Sequence, residues 1–199
     1  MNNEIKFISL MTDSVFKTLW LKKNKDVLEF YRRIIKYIAG IDIKDYDFTN
    51  NELSLDNLNS IFNRVDILME SKDKKRKLNL ELNKSYSRRL INKNDSYIMK
   101  ISGETYAGLK KEEIYNEDIH TLQINFNGFE DRTNPGISVA NSYMYDKKHN
   151  RRRMDVQIID IYLPVYKELC YNEKEEIYKD LAMFTCDSYD EMETLVGNN

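Results

Sequence analysis

An α/β fold, with a mixed central β-sheet flanked by α-helices, is what the sequence of 199 residues predicts, and three observations carry that expectation. Helical spacing marks an early segment, where Val27, Leu28, Tyr31, Ile34, Ile35 and Ile38 recur on one face. Period-two alternation marks Leu78-Asn79-Leu80-Glu81-Leu82-Asn83 and again Leu122-Gln123-Ile124-Asn125-Phe126-Asn127. Only two prolines and six glycines interrupt such patterns, so regular elements outweigh linkers. Helices, strands, a helix, strands and a closing helix succeed one another without an internal repeat, the order expected of a sheet covered by helices.

The elements follow in turn. Residues 13–20 read as a helix with Val15, Phe16, Leu19 and Trp20 inward. The second helix runs from an N-cap at Asn24 to a stop at Gly40. Residues 41–60 are mixed and polar, a loop leading into a short strand near 53–58. Strands around Asp66 and Glu81 come next, joined by the charged Ser71-Lys72-Asp73-Lys74-Lys75-Arg76-Lys77. Residues 85–109 read as helix, with Tyr86, Leu90, Tyr97, Ile98, Ile101 and Leu109 as buried candidates and Gly103 or Gly108 as weak points. A strand covers 120–127, and Asn134-Pro135-Gly136 makes a turn. Two more strands, near 137–145 and 154–163, flank a loop at 146–152. Pro164 ends the last strand, residues 173–185 form a C-terminal helix, and 190–195 is helix-like.

Composition narrows the class. A hydrophobic fraction of 41% and a charged fraction of 32% suit one globular domain over residues 1–199. With 31 basic and 33 acidic residues, no overall basic field announces a nucleic-acid binder, although a local patch is compatible with a net charge of −2. Cys170 and Cys186 supply neither a disulfide framework nor a zinc site, and His120 and His149 lack a partner at ligand spacing. No Gly-rich phosphate loop or Ser-His-Asp pattern is present. The first residues have no apolar signal region and no apolar run reaches membrane-spanning length, so a cytoplasmic protein with no membrane partner is expected.

The two runs Arg64-Val65-Asp66-Ile67-Leu68-Met69 and Leu78 to Asn83 hold the candidate chemistry. Setting Asp66 opposite Glu81 in an antiparallel pair puts the hairpin centre between Asp73 and Lys74, inside the polar stretch. That register places Asp66, Glu81 and the amide of Asn83 on one face. Paired carboxylates are hard oxygen ligands suited to Mg²⁺ or Mn²⁺, the usual electrophile in phosphodiester cleavage. In the helix that follows, Arg88, Arg89 and Lys93 are candidates for phosphate contacts, Arg89 and Lys93 being spaced to share a face, and Lys84 lies beside the triplet. Arg151-Arg152-Arg153 reads as a solvated turn.

These motifs together resemble the nuclease-family transposases of the PD-(D/E)XK type, also called recombination-promoting nucleases. The likeness starts with Asp13-x-x-Phe16-Lys17, continues through Arg64-Val65-Asp66 and Asn79 to Asn83, and extends over nearly the whole chain. Lys93-Asn94-Asp95-Ser96-Tyr97, Leu122 to Phe126, and Ile161-Tyr162-Leu163-Pro164 complete it. The resemblance implies a restriction-endonuclease-like core and Mg²⁺-dependent cleavage of DNA linked to recombination, mobile elements or defence. It implies Asp66 and Glu81 as metal ligands, the Leu82 carbonyl as a further ligand, and Asp13 or Lys17 as accessory groups. Asn83 departs from the pattern, standing where the broad superfamily has Lys and many transposase-like members have Gln. An amide orients water by hydrogen bonds and brings no charge.

Two other classes stay open at this point. One is a nuclease-fold protein without turnover that binds nucleic acid or protein, which Asn83 motivates. The other is an assembly protein that dimerises through its C-terminal helix. A homodimer also follows from the enzyme reading, because cutting both strands commonly takes two sites.

Overall fold

Two amphipathic helices open the structure, a computed structural model that describes residues 7–21, 24–49, 65–116, 118–146, 148, 151–173 and 175–197. Helix α1 (Asp13–Leu21) buries Phe16 and Trp20, and α2 (Lys25–Ala39) buries Tyr31, Ile34 and Ile35, the residues their spacing puts on one side. Asn24 caps α2: its Oδ1 accepts the backbone N–H groups of Asp26 at 2.9 Å and Val27 at 3.4 Å. Gly40 ends it at φ 70°, a left-handed conformation that costs any residue with a Cβ.

Among the described residues six strands make one mixed sheet in the order β1-β2-β3-β4-β6-β5. They are β1 (Tyr46–Phe48), β2 (Ile67–Ser71), β3 (Arg76–Asn83), β4 (His120–Asn127), β5 (Val139–Asp146) and β6 (Arg151–Tyr162). The pairs β3–β4 and β4–β6 are parallel and the others antiparallel. A parallel pair needs a crossover, which α3 (Arg88–Ala107) and α4 (Lys111–Asn116) supply between β3 and β4. After β6 come α5 (Leu163–Asn172), α6 (Glu176–Ala182), a 3₁₀ turn at Met183–Thr185 and α7 (Tyr189–Gly197). No helix among the described residues is long and apolar enough to cross a membrane.

Alternation gives the sheet two unlike faces. Leu78 and Leu80 of β3, Leu122, Ile124 and Phe126 of β4, and Ile159 and Ile161 of β6 form one. They pack against Phe16, Trp20, Tyr31, Tyr166, Leu181 and Phe184 from the helices. Trp20 stacks on Tyr31 with ring centroids 3.9 Å apart, and Phe126 stacks on Phe184 at 5.4 Å. Fully burying one Phe of this kind is worth ~1.5–3 kcal/mol. The opposite face carries Asn79, Glu81 and Asn83 of β3 and Gln123, Asn125 and Asn127 of β4, all buried. Helix α3 lies on that side, setting Tyr97 and Ile101 against Val65 and Leu68.

Several elements differ from the sequence expectation. Residues 46–48 are a strand rather than loop, because they pair with β2. Strand β6 starts at Arg151, so the loop before it is shorter than expected. Pro164 does not merely end a strand: it occupies the first turn of α5, where its missing N–H costs nothing. The expected helix at 173–185 begins at Glu176 and tightens into a 3₁₀ turn. Gly103 sits inside an unbroken α3, which ends at Gly108. The expected strand near 53–58, together with Arg64 and His149, lies outside the described residues.

Candidate active site

The hairpin register places the two acids opposite each other. Ile67 pairs with Leu80 and Leu68 with Asn79, so one step further Asp66 faces Glu81, and the turn centres on Asp73 and Lys74. Two hydrogen bonds tie the acids together across the strands. The Asp66 N–H donates to Glu81 Oε1 at 3.2 Å, and the Leu82 N–H donates to Asp66 Oδ2 at 2.9 Å. In an extended strand the N–H and C=O of one residue face the same neighbour, so the Leu82 carbonyl is turned to the Asp66 side.

A lysine meets each carboxylate. Lys17 Nζ of α1 lies 2.9 Å from Asp66 Oδ1 and 2.9 Å from Asp13 Oδ1. Lys93 Nζ of α3 lies 3.1 Å from Glu81 Oε2 and 5.3 Å over the Tyr97 ring. Burial and then the charge of Asp66 push the Glu81 carboxyl up to about 7, against the pull of Lys93. Burial alone would lower Lys17, but hydrogen bonds to Asp13 and Asp66 outweigh it and raise its pKa. Lys17 therefore stays an ammonium, a source of charge and not a base.

A row of side-chain amides runs from this centre across the polar face. Asn79 Nδ2 donates to Glu81 Oε1 at 3.2 Å and to Gln123 Oε1 at 2.9 Å. Gln123 Nε2 donates to Asn125 Oδ1 at 3.0 Å, and Asn125 Nδ2 to Asp160 Oδ1 at 2.9 Å. Asn83 Nδ2 donates to Asn127 Oδ1 at 2.9 Å, and Asn127 Nδ2 to the same Asp160 oxygen at 3.1 Å. Buried amides are tolerated because each is held this way; an orphaned polar group costs ~1–3 kcal/mol. Asn83 Oδ1 is one such group, buried and without a hydrogen-bond partner among the described residues. Gly128 closes the row's end: its N–H donates to the Asn83 carbonyl at 2.8 Å, and a Cβ there would sit 2.8 Å from Met11 Cε and 3.0 Å from the Lys84 carbonyl.

The expected residues thus fall into two groups. Asp66, Glu81, Leu82 and Asn83 come together at the start of β2 and the end of β3, and Asp13 and Lys17 join them from α1. Lys93 does not line an outer face with Arg89; it turns in to Glu81, because it stands four residues before the buried Tyr97 on the same side of α3. Lys84, Arg88 and Arg89 are exposed. The sequence alone gave no role to Asn79, Gln123, Asn125, Asn127, Asp160 or Gly128, although amides flanking Glu81 on β3 and at every second position of β4 were the available signal.

Two carboxylates and a carbonyl are a hard-oxygen set, and Mg²⁺ is commonly held by one or two carboxylates with water completing its shell. The donor chemistry fits Mg²⁺ or Mn²⁺. Among the described residues no three His, Cys, Asp or Glu gather as a metal-binding group, so Asp66 and Glu81 stand as a pair without a third such side chain. No protein-family model matches the chain, and no curated protein matches its sequence.

Proposed function

We propose that the protein is a cytoplasmic, Mg²⁺-dependent DNA endonuclease with a restriction-endonuclease-like core, of the kind found in nuclease-family transposases. The observation that supports this most is the reciprocal bonding of Asp66 and Glu81 at facing register positions, with an ammonium on each carboxylate. In this reading Asp66, Glu81 and the Leu82 carbonyl hold the metal. A Mg²⁺ ion held by these residues would supply a lowered pKa for a bound water and positive charge beside the phosphate.

The chain's own residues do the rest. Asn83 is fixed through Nδ2 by Asn127, and its Oδ1, without a partner among the described residues, accepts a hydrogen bond from the attacking water and orients it. Lys17 and Lys93 supply the positive charge that an amide at position 83 lacks, acting on the pentacovalent phosphate as the P–O bond breaks. Lys84, Arg88 and Arg89 hold backbone phosphates, the two arginines at the first turn of α3, where free helix N–H groups also favour anions. Cutting both strands takes two centres, so the reading includes a homodimer.

The test is nicking of supercoiled plasmid in Mg²⁺ or Mn²⁺. Wild-type protein should cut, while Glu81→Ala or added EDTA should stop it. Cleavage that persists in either case refutes the assignment. A second reading rests on Asn83: a nuclease-fold protein that binds nucleic acid or a regulatory partner without turnover. A silent wild type made active by Asn83→Lys would establish that one.

A further inference from the structure

The amide row ends at Asp160, and there the polar face opens into a cleft between α3 and the strands β4 and β6. It has a volume of about 290 Å³, near the lower end of small-ligand sites. Its walls are of two kinds. Aromatic rings make one: Phe129 meets Tyr86 edge to face at 5.7 Å and Tyr162 at 6.4 Å. Hydrogen-bond acceptors make the other. Asn94 of α3 is 6% exposed, lines the cleft, and has an Oδ1 without a hydrogen-bond partner among the described residues. Asp160 takes both amide donors, Asn125 and Asn127, on Oδ1, which leaves its Oδ2 without a bond among the described residues.

We propose that this cleft seats one unstacked nucleobase carrying an exocyclic amino group, with the sugar and phosphate left at its mouth. Unpartnered acceptors call for a donor, and the aromatic wall calls for a flat ring. Adenine, cytosine and guanine carry amino donors and thymine does not. The phosphate stays outside because Asp95, Glu130, Asp131 and Asp160 all line the cleft. Burial and then the charge of Asp160 raise the Asp95 carboxyl, so these acids already sense one another without an added anion. At the rim the exposed Arg132 guanidinium lies 4.1 Å from the Tyr86 ring centroid and suits the excluded phosphate.

The natural ligand inferred here rests on the nuclease reading, since a base seat beside a cutting centre implies a strand opened or unstacked at the cleavage site. Asp160, Asn125, Gln123 and Asn79 link that seat to Glu81 through consecutive hydrogen bonds. A base held at one end would therefore fix the strand relative to the carboxylates at the other. The inference gives the enzyme a preference at one nucleotide near the cut.

The experiment titrates full-length protein with the 5′-monophosphates of deoxyadenosine, deoxycytidine, deoxyguanosine and thymidine. Calorimetry measures affinity, and chemical shifts of the Phe129 and Tyr162 ring protons locate binding in the wild type. The amino-bearing nucleotides should bind roughly tenfold or more tighter than thymidine monophosphate, the scale of one good hydrogen-bonding contact. Asn94→Leu should erase that preference, and Phe129→Ala should weaken all four, each variant first being checked for folding by circular dichroism. Equal affinity for all four, unmoved ring protons, or a preference that survives in folded Asn94→Leu overturns the proposal. So does guanidinium ion displacing the nucleotides equally from wild type and Phe129→Ala, which would mark a cation site. Plasmid cleavage without selective nucleotide binding removes the base seat alone. Selective binding without cleavage supports the seat and removes the nuclease reading.

Discussion

The two faces of the β3-β4-β6 sheet are built from alternate residues of the same strands and do opposite work. On one, Leu80, Ile124 and Ile159 pack among aromatic rings, an attraction without direction. On the other, Glu81, Asn125 and Asp160 are joined through oriented donors and acceptors. The first face secures the fold whichever large apolar residue fills it; the second holds side chains in one arrangement and fails when a single member is lost. A slip of one residue in register would exchange them, so the packing of the apolar side also fixes where the carboxylates point.

The sharpest way to break that comparison is on the apolar side. Phe126→Ala should cost ~3–5 kcal/mol in urea unfolding, the range for emptying a buried aromatic site. On the polar side the largest effect comes through pH. Folded Glu81 keeps its proton up to about 7, whereas an unperturbed glutamate releases it near 4.5. Between those values unfolding releases a proton, so stability should fall as pH rises through that window, by on the order of a few kcal/mol. Below the window this contribution to stability is intact, and above it the loss is complete. Thermal melts across pH 4–8 read the slope, Glu81→Gln should flatten it, and Mg²⁺ should restore stability at the alkaline end.

A single amide comes next. Gln123→Leu strands the Asn125 carbonyl and removes the acceptor of Asn79, for ~1–3 kcal/mol in the same unfolding experiment. Its cleavage rate should drop while affinity for DNA holds, since Asn79 also steadies Glu81. An equal loss at Phe126 and Gln123, each scaling with the volume removed, would erase the distinction between the faces. The smallest effect on stability belongs to neither. Arg88→Ala with Arg89→Ala should leave stability within ~0.5 kcal/mol yet weaken DNA binding and flatten its salt dependence by about two phosphate contacts.

How much of this could be read beforehand follows from the range of each interaction. The β2–β3 register was legible because parity and a polar turn are local, and Asp66 opposite Glu81 is what the pairing shows. The α2 boundaries at Asn24 and Gly40 were legible for the same reason. Helix α5 was missed because Pro164 signals a strand end and a helix start alike. That Asn125 and Asn127 are buried was not legible, since alternation separates two faces without saying what covers each. The inward turn of Lys93 also needed the structure, although its spacing from Tyr97 carried a hint.

The amide row has a consequence for synthesis. It begins at Asn79 and ends at Asp160, and β6 reaches it only after β4 and β5 have been made. A growing chain that has finished the β2–β3 hairpin already owns both carboxylates and the hydrogen bonds between them, but not the Gln123, Asn125 and Asp160 side chains that complete the row. Parallel neighbours so distant in sequence form late, because loop closure must come before their contacts form. On the proposed nuclease reading, the complete arrangement around Glu81 would be withheld from the nascent polypeptide until the last strand docks.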